Sequence, residues 1–353
     1  MASVRFLSGT SAALGGIFWM WAALTGCGGS SGSAPPTSSS TLIVANQDAG
    51  SDPNLPSIGF FSPSANANAH PKRLLAGDQT GLDNGNAAAV VVSNGQLYVS
   101  NPTNGNITIY PVKANGNIPP TATLGGAATM ITFPAGLAVD AAGRIYVVDD
   151  GPDGGGPGSI LVFAAGASGN VAPLAAITPT TTPLTTPVGV AVASNGDIWV
   201  ANLYGASVMK FSAGSNGDVP AAATLAGANT MINAPAYVAI DSAGNLYVSN
   251  DGSAFTPPTM DAILAFPPGS DGNVAPSSTI SGSNTQLDLP TGLVFDTKGD
   301  LFVANYSNPS APDDPGPSLV EFGPGSSGNI FPLRFIGGPS THLSRPGGMF
   351  FVP

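Results

Sequence analysis

Short apolar runs alternate with Gly-, Pro- and Asn-rich punctuation along most of the chain, and the alternation recurs roughly every fifty residues. In each copy a first run, such as Gly136-Leu-Ala-Val-Asp140 or Gly292-Leu-Val-Phe-Asp296, is near-continuously apolar, as suits a strand buried on both faces. A three-residue turn follows and ends on glycine at Gly95, Gly143, Gly196, Gly244 and Gly299, where a tight hairpin needs positive φ. A second run comes next, as in Ile145-Tyr-Val-Val or Leu301-Phe-Val-Ala. A third ends on an aromatic residue at Phe61, Tyr110, Phe163, Phe211, Phe266 and Phe322. A short fourth run closes the unit, and no helical period appears. Four strands per unit and six units predict an all-β fold, a six-bladed β-propeller over residues 41–353. The repeat starts at Thr41-Leu-Ile-Val-Ala-Asn46, which is only a second run, and stops at Pro346-Gly-Gly-Met-Phe-Phe-Val352, which is only a first. The two halves are expected to pair and close the ring.

The pattern Pro134-Ala-Gly-Leu-Ala-Val-Asp-Ala-Ala-Gly-Arg-Ile-Tyr-Val-Val-Asp149, with Ile160-Leu-Val-Phe163 after it, resembles the NHL-repeat family of six-bladed propellers. The resemblance covers residues 41–353 and speaks to fold more than to activity. The family's Asn-x-Arg before the third strand is replaced by Gly158-Ser159 and Ala206-Ser207, so functions that use that arginine are not implied.

Ahead of the repeat, residues 1–26 have the layout of a secretory signal: one early charge, Arg5, then the apolar stretch Ala12–Leu24, too short for a membrane span of about 20 residues. Leu24-Thr-Gly-Cys27 resembles the lipobox of bacterial lipoproteins, which implies lipidation of Cys27. Residues 27–40 then read as the lipidated cysteine and a Gly/Ser/Pro tether. The resemblance implies an exported protein anchored by lipid to the cell envelope, with the outer membrane favoured where there is one, since Gly28 is not the retaining aspartate. Cys27 is the chain's single cysteine, so the exported domain has no internal disulfide to rely on. The chain carries 9 Lys+Arg against 20 Asp+Glu; loss of Arg5 with the signal leaves 8 against 20, a net charge of −12. That balance disfavours nucleic acid as a partner.

Repetition separates scaffold from candidate chemistry. Asn46, Asn101, Asp149, Asn202, Asn250 and Asn305 all end second strands, a ring of amides and carboxylates that could ligate a metal. The competing reading is that each bonds the turn that follows it. The loops beyond this ring vary in length and carry Asp150, Asp153 and Asp251 as well as Asp48, Asp52, Asp261, Asp313 and Asp314. Tyr204 and Tyr306 begin two of these loops, and Tyr237 stands where other first strands have glycine. Together they form a candidate ligand-binding face. A Ca²⁺ site built from these carboxylates is the one cofactor alternative to none, without an Asp-x-Asp-x-Asp-Gly loop to support it.

Some six-bladed relatives are enzymes. Gluconolactonase-like propellers use an early glutamate among their metal ligands, whereas the sole glutamate here, Glu321, falls in a third strand. Amidating lyases hold zinc with several histidines; here His70 lies in a third-to-fourth-strand link and His342 in an inter-blade link, which are expected on opposite faces and unable to share a metal. No catalytic residue stands out. The leading expectation is a lipid-anchored, monomeric binding scaffold for protein or glycan, with a metal-dependent lactonase or lyase as the alternative.

Overall fold

Twenty-four strands appear in the computed structural model, which describes residues 40–47, 56–83, 89–251, 261–307 and 316–353. They form six four-stranded antiparallel sheets. Five use consecutive strands: the second blade (90–125), third (134–177), fourth (187–226), fifth (235–281) and sixth (290–337). The closing blade runs in the order Pro346–Val352, Thr41–Asn46, Ser57–Phe61, Arg73–Ala76. Thr41 faces Val352, Leu42 faces Phe351, Ile43 faces Phe350 and Val44 faces Met349. The expected six-bladed propeller, closed by its terminal strands, is therefore the observed fold.

No sheet buries its own faces. Six apolar clusters fill the six gaps between neighbouring blades. One joins Tyr98 and Ile109 of the second blade to Leu137 and Phe163 of the third; another joins Leu42 and Phe61 of the closing blade to Phe302 and Leu319 of the sixth. Each blade's core is thus its neighbour's surface, as in other stacked repeats. The third-strand aromatics, Phe61, Tyr110, Phe163, Phe211, Phe266 and Phe322, are all fully buried in these gaps. The first strands depart from the expected burial on both faces. In Pro134–Val139 and Pro187–Val192 the last two residues are only partly buried, because the first strand is the innermost edge of its blade and borders the central channel.

Two backbone devices recur. The hairpin glycines have φ between +73° and +88°, as the turn pattern requires. The second device concerns the third-to-fourth-strand links. Each link climbs the outer strand of the preceding blade, with parallel bridges Leu75–Gly116, Leu124–Gly169, Ile177–Gly217, Leu225–Gly272, Ile280–Gly328 and Ile336–Ala67. The next residue then accepts a backbone N–H from the preceding inter-blade link: Asn117 from Gln79, Asn170 from Ala128, Asp218 from Thr180, Asn273 from Asn229, Asn329 from Asn284 and Asn68 from Ser340.

This clasp corrects the expectation for the two histidines. A link that climbs the full height of a blade starts on one face and reaches the other, so His70 and His342 meet, with ring centroids 6.3 Å apart.

Candidate functional site

First strands begin, and second strands end, on the face that carries the inter-blade links; we call it the upper face. The ring residues Asn46, Asn101, Asp149, Asn202, Asn250 and Asn305 are buried there. Their side-chain oxygens accept backbone N–H groups from the inter-blade link 17 or 18 residues earlier: Asn101 from Asp83, Asn202 from Thr185, Asn250 from Asn233 and Asn305 from Asp288. Asp149 takes Thr132 and Phe133 N–H and the Thr132 hydroxyl, and Asn46 takes Ser344 N–H across the closing seam. Several amide nitrogens donate to the start of the third strand, as Asn46 does to Ser57, Asn202 to Ser207 and Asn305 to Ser318. The ring therefore holds the link before each blade; among the described residues, only Asp149, through Gly151 N–H, also bonds the turn that follows.

The residue after each ring position behaves differently. Gln47, Asp150, Leu203, Asp251 and Tyr306 are pinned by their backbone N–H to carbonyls at the start of the first strand: Ser344, Phe133, Thr186, Ala234 and Leu289, at 2.9–3.1 Å. Four of them, Gln47, Leu203, Asp251 and Tyr306, wall a cavity of about 250 Å³ at the upper mouth of the channel, together with Ala135, Val188 and Thr291. Tyr237 belongs to this wall and also to that of a second cavity of about 300 Å³ lower in the channel, lined by the side chains of Val139, Val192, Ile240, Phe295 and Phe350 and by backbone. Its ring therefore divides the channel into two chambers. Burial pushes its phenol up to about 12, so it remains a neutral hydrogen-bonding group at physiological pH.

The upper chamber combines few polar groups with apolar walls, the usual make-up of a small-molecule site. Gln47 is 4 % exposed and its Oε1 has no hydrogen-bond partner. A buried amide oxygen left unpaired carries a desolvation cost of about 1–3 kcal/mol. Arg345 lies over the Tyr306 ring, its guanidinium carbon 5.4 Å from the ring centre. A third cavity, about 140 Å³ beside Tyr247, Lys298 and Phe322, lies among hairpin turns and outer strands, away from the axis.

The remaining sequence candidates separate. Tyr204 is 64 % exposed and does not line the chamber, and Asp153 belongs to the short turn Pro152–Gly154. Asp150 is buried beside Asp149, outside the chamber wall. Cys27, Asp48, Asp52, Asp313 and Asp314 lie outside the described residues. Glu321 is buried in its third strand and ion-paired with Arg334. Among the described residues no three His, Cys, Asp or Glu side chains come together. The sequence reading passes over Gln47 and Leu203. Their signal is positional: each follows a ring residue, at a place where the blades otherwise differ.

No family model and no curated protein sequence matches the chain. Solved structures do match. A protein of unknown function from Bacteroides caccae is 11 % identical with a TM-score of 0.61, over 88 % of this chain and 98 % of its own. A chain of the nidogen/laminin complex is 13 % identical with a TM-score of 0.57, over 89 % and 98 %. A candidate 6-phosphogluconolactonase from Bacteroides fragilis is 14 % identical with a TM-score of 0.52, over 91 % and 100 %. At these identities the likeness is one of fold, and the fold supports unrelated activities.

Asp150 yields a pH prediction. Its burial, with the Asp149 carboxylate beside it, pushes its carboxyl up to about 6 against one opposing hydrogen bond from Thr186 N–H, and its Oδ1 has no partner. A carboxyl whose folded value exceeds its unfolded value of about 3.9 favours folding when protonated. That stabilisation is full below about pH 4 and is lost as pH rises through 6. Asp150→Asn is expected to flatten this slope and to raise stability at pH 7 by about 1–2 kcal/mol. Urea midpoints at pH 4, 5, 6 and 7 for both proteins check it; parallel pH profiles contradict it.

Proposed function

We propose that this chain is an exported, lipid-anchored binding module of NHL-repeat type that takes a carbohydrate at the upper mouth of its channel. The reading rests on one observation above all: the polar residues Gln47 and Asp251 and the aromatic residues Tyr306 and Tyr237 line one chamber whose walls are otherwise largely apolar. Sugars suit such a site. Their hydroxyls donate to amide and carboxylate oxygens, and their C–H faces pack on aromatic rings. The lipobox-like Leu24-Thr-Gly-Cys27 supports anchoring at the envelope, where glycans abound.

The lactonase reading has less support. The names of two structural neighbours raise it, but Glu321 is committed to Arg334 and the ring oxygens are committed to the inter-blade links.

Calorimetric titration with glucose, galactose, N-acetylglucosamine and their disaccharides tests the reading. Binding of at least one sugar is expected, weakened about tenfold or more in Gln47→Ala and in Asp251→Ala, since each removes an acceptor worth about 1.5 kcal/mol. No heat from any sugar, or an affinity indifferent to both substitutions, would reject the site. In cells, Cys27→Ala is expected to abolish lipid labelling and release the protein from membranes; continued labelling would reject the anchor.

A further inference from the structure

The chain's two histidines meet at the seam where the ring closes. His70 lies in the third-to-fourth-strand link of the closing blade. His342 caps the short turn Pro339–Thr341, which leads from the sixth blade into the innermost strand of the closing blade. Their ring centroids are 6.3 Å apart and the planes are inclined by 49°.

Both backbones are fixed by their surroundings. Asn68, two residues before His70, accepts Ser340 N–H at 2.7 Å and donates to Ser340 Oγ at 3.1 Å. Ala67 N–H donates to Phe335 O at 2.6 Å and Ala67 O accepts Gly337 N–H at 3.1 Å. On the other side, Thr341 Oγ1 donates to Gly338 O at 2.6 Å and accepts Leu343 N–H at 3.2 Å, which brackets His342 in its left-handed conformation at φ 53°. His70 is exposed and His342 half-buried, so an ion reaches the pair from solvent.

The spacing fits a shared metal. A metal–nitrogen bond of about 2.0–2.1 Å puts a ring centre about 3.2 Å from the ion, so two imidazoles on one ion have centres at most about 6.4 Å apart. The observed separation lies just within that limit, which is reached when two nitrogens stand trans across the ion. That arrangement belongs to tetragonal sites, which Cu²⁺ and Ni²⁺ favour, with Cu²⁺ bound more tightly than its neighbours in the series.

We propose that His70 and His342 form a two-histidine site for a tetragonal divalent transition-metal ion, Cu²⁺ foremost, with water in the other positions. Among the described residues no third His, Cys, Asp or Glu joins them, so the site is open and exchangeable. The bound ion clips the closing blade to the link from the sixth blade, and it stabilises the closed ring because the unfolded chain does not hold the two imidazoles together.

The test uses the full chain with Cu²⁺. Calorimetry is expected to show one equivalent bound, with affinity reduced at least tenfold in both His70→Asn and His342→Asn. The electron paramagnetic resonance spectrum of the unsubstituted protein is expected to carry coupling to two imidazole nitrogens. Saturating Cu²⁺ is expected to raise the melting temperature by about 3–5 °C, and not in either variant. No binding, or an affinity unchanged in both variants, overturns the site. So does a spectrum with fewer than two imidazole nitrogens, a result that does not depend on how the variants fold.

Discussion

Deleting residues 347–353 is expected to abolish the cooperative unfolding transition of the whole domain, although it removes only the end of the chain. Those residues supply nearly all of the innermost strand of the closing blade, where Met349, Phe350, Phe351 and Val352 pair in register with Val44, Ile43, Leu42 and Thr41. Met349 belongs to the apolar cluster shared with the sixth blade, and Phe350 and Val352 pack against the cluster shared with the second. Truncation therefore strips both gaps beside the closing blade and exposes the Leu42–Ala45 strand as an unpaired edge, a site for aggregation. Each large apolar side chain removed from such a gap costs about 2–5 kcal/mol, so the loss of several exceeds the whole stability of an ordinary domain. Circular dichroism melts of the truncated and full domains decide the matter: the truncated protein is expected to be insoluble or to melt without a sharp midpoint. An unchanged midpoint would mean that the ring does not depend on its seam.

Gly136→Ala is expected to cost about 3 kcal/mol or more, an unusual penalty for one added methyl group. Around the axis successive first strands approach so closely that a Cβ on Gly136 would run into the carbonyl oxygen of Val188, and one on Gly292 into that of Gly347. Those obstacles are backbone in neighbouring blades, so no rotamer change relieves them. Gly169→Ala is the matched control: its Cβ would meet nothing within 4 Å, and only its φ of +76° resists substitution. About 1 kcal/mol is expected there. Chemical denaturation of both variants measures the difference. Equal costs would show that conformational freedom, not blade-to-blade approach, is why these glycines are present.

The contrast also explains Tyr237. It occupies the row of Gly136, Gly189 and Gly292, the one bulky residue there, and its side chain turns into the channel, where it partitions the two chambers. From sequence, Tyr237 was a break in a glycine pattern; in space it is a floor. Asp251 and Tyr306 were likewise visible as irregular residues and do reach the chamber, whereas Tyr204, chosen on the same grounds, points into solvent. Its neighbour Leu203 takes the wall position instead. A shift of one residue at the end of a strand moves a side chain to the opposite side, and spacing alone does not say where the strand ends.

By itself the sequence determined the blade. Strand order, hairpin glycines and third-strand aromatics are encoded within about fifty residues of one another, through side-chain alternation and turn conformation, and with the half-units at the two ends of the repeat they carry through to six sheets and a terminal seam. Only the tertiary structure decided what meets whom across the ring. Gln47, Leu203, Asp251 and Tyr306 come from four different blades and converge because the first strands crowd a common axis, a distance set by blade number and twist. His70 and His342 meet because a link of one blade climbs the outer strand of another. Local patterns are written by local sterics, but convergence at an axis or a seam is a property of the closed ring.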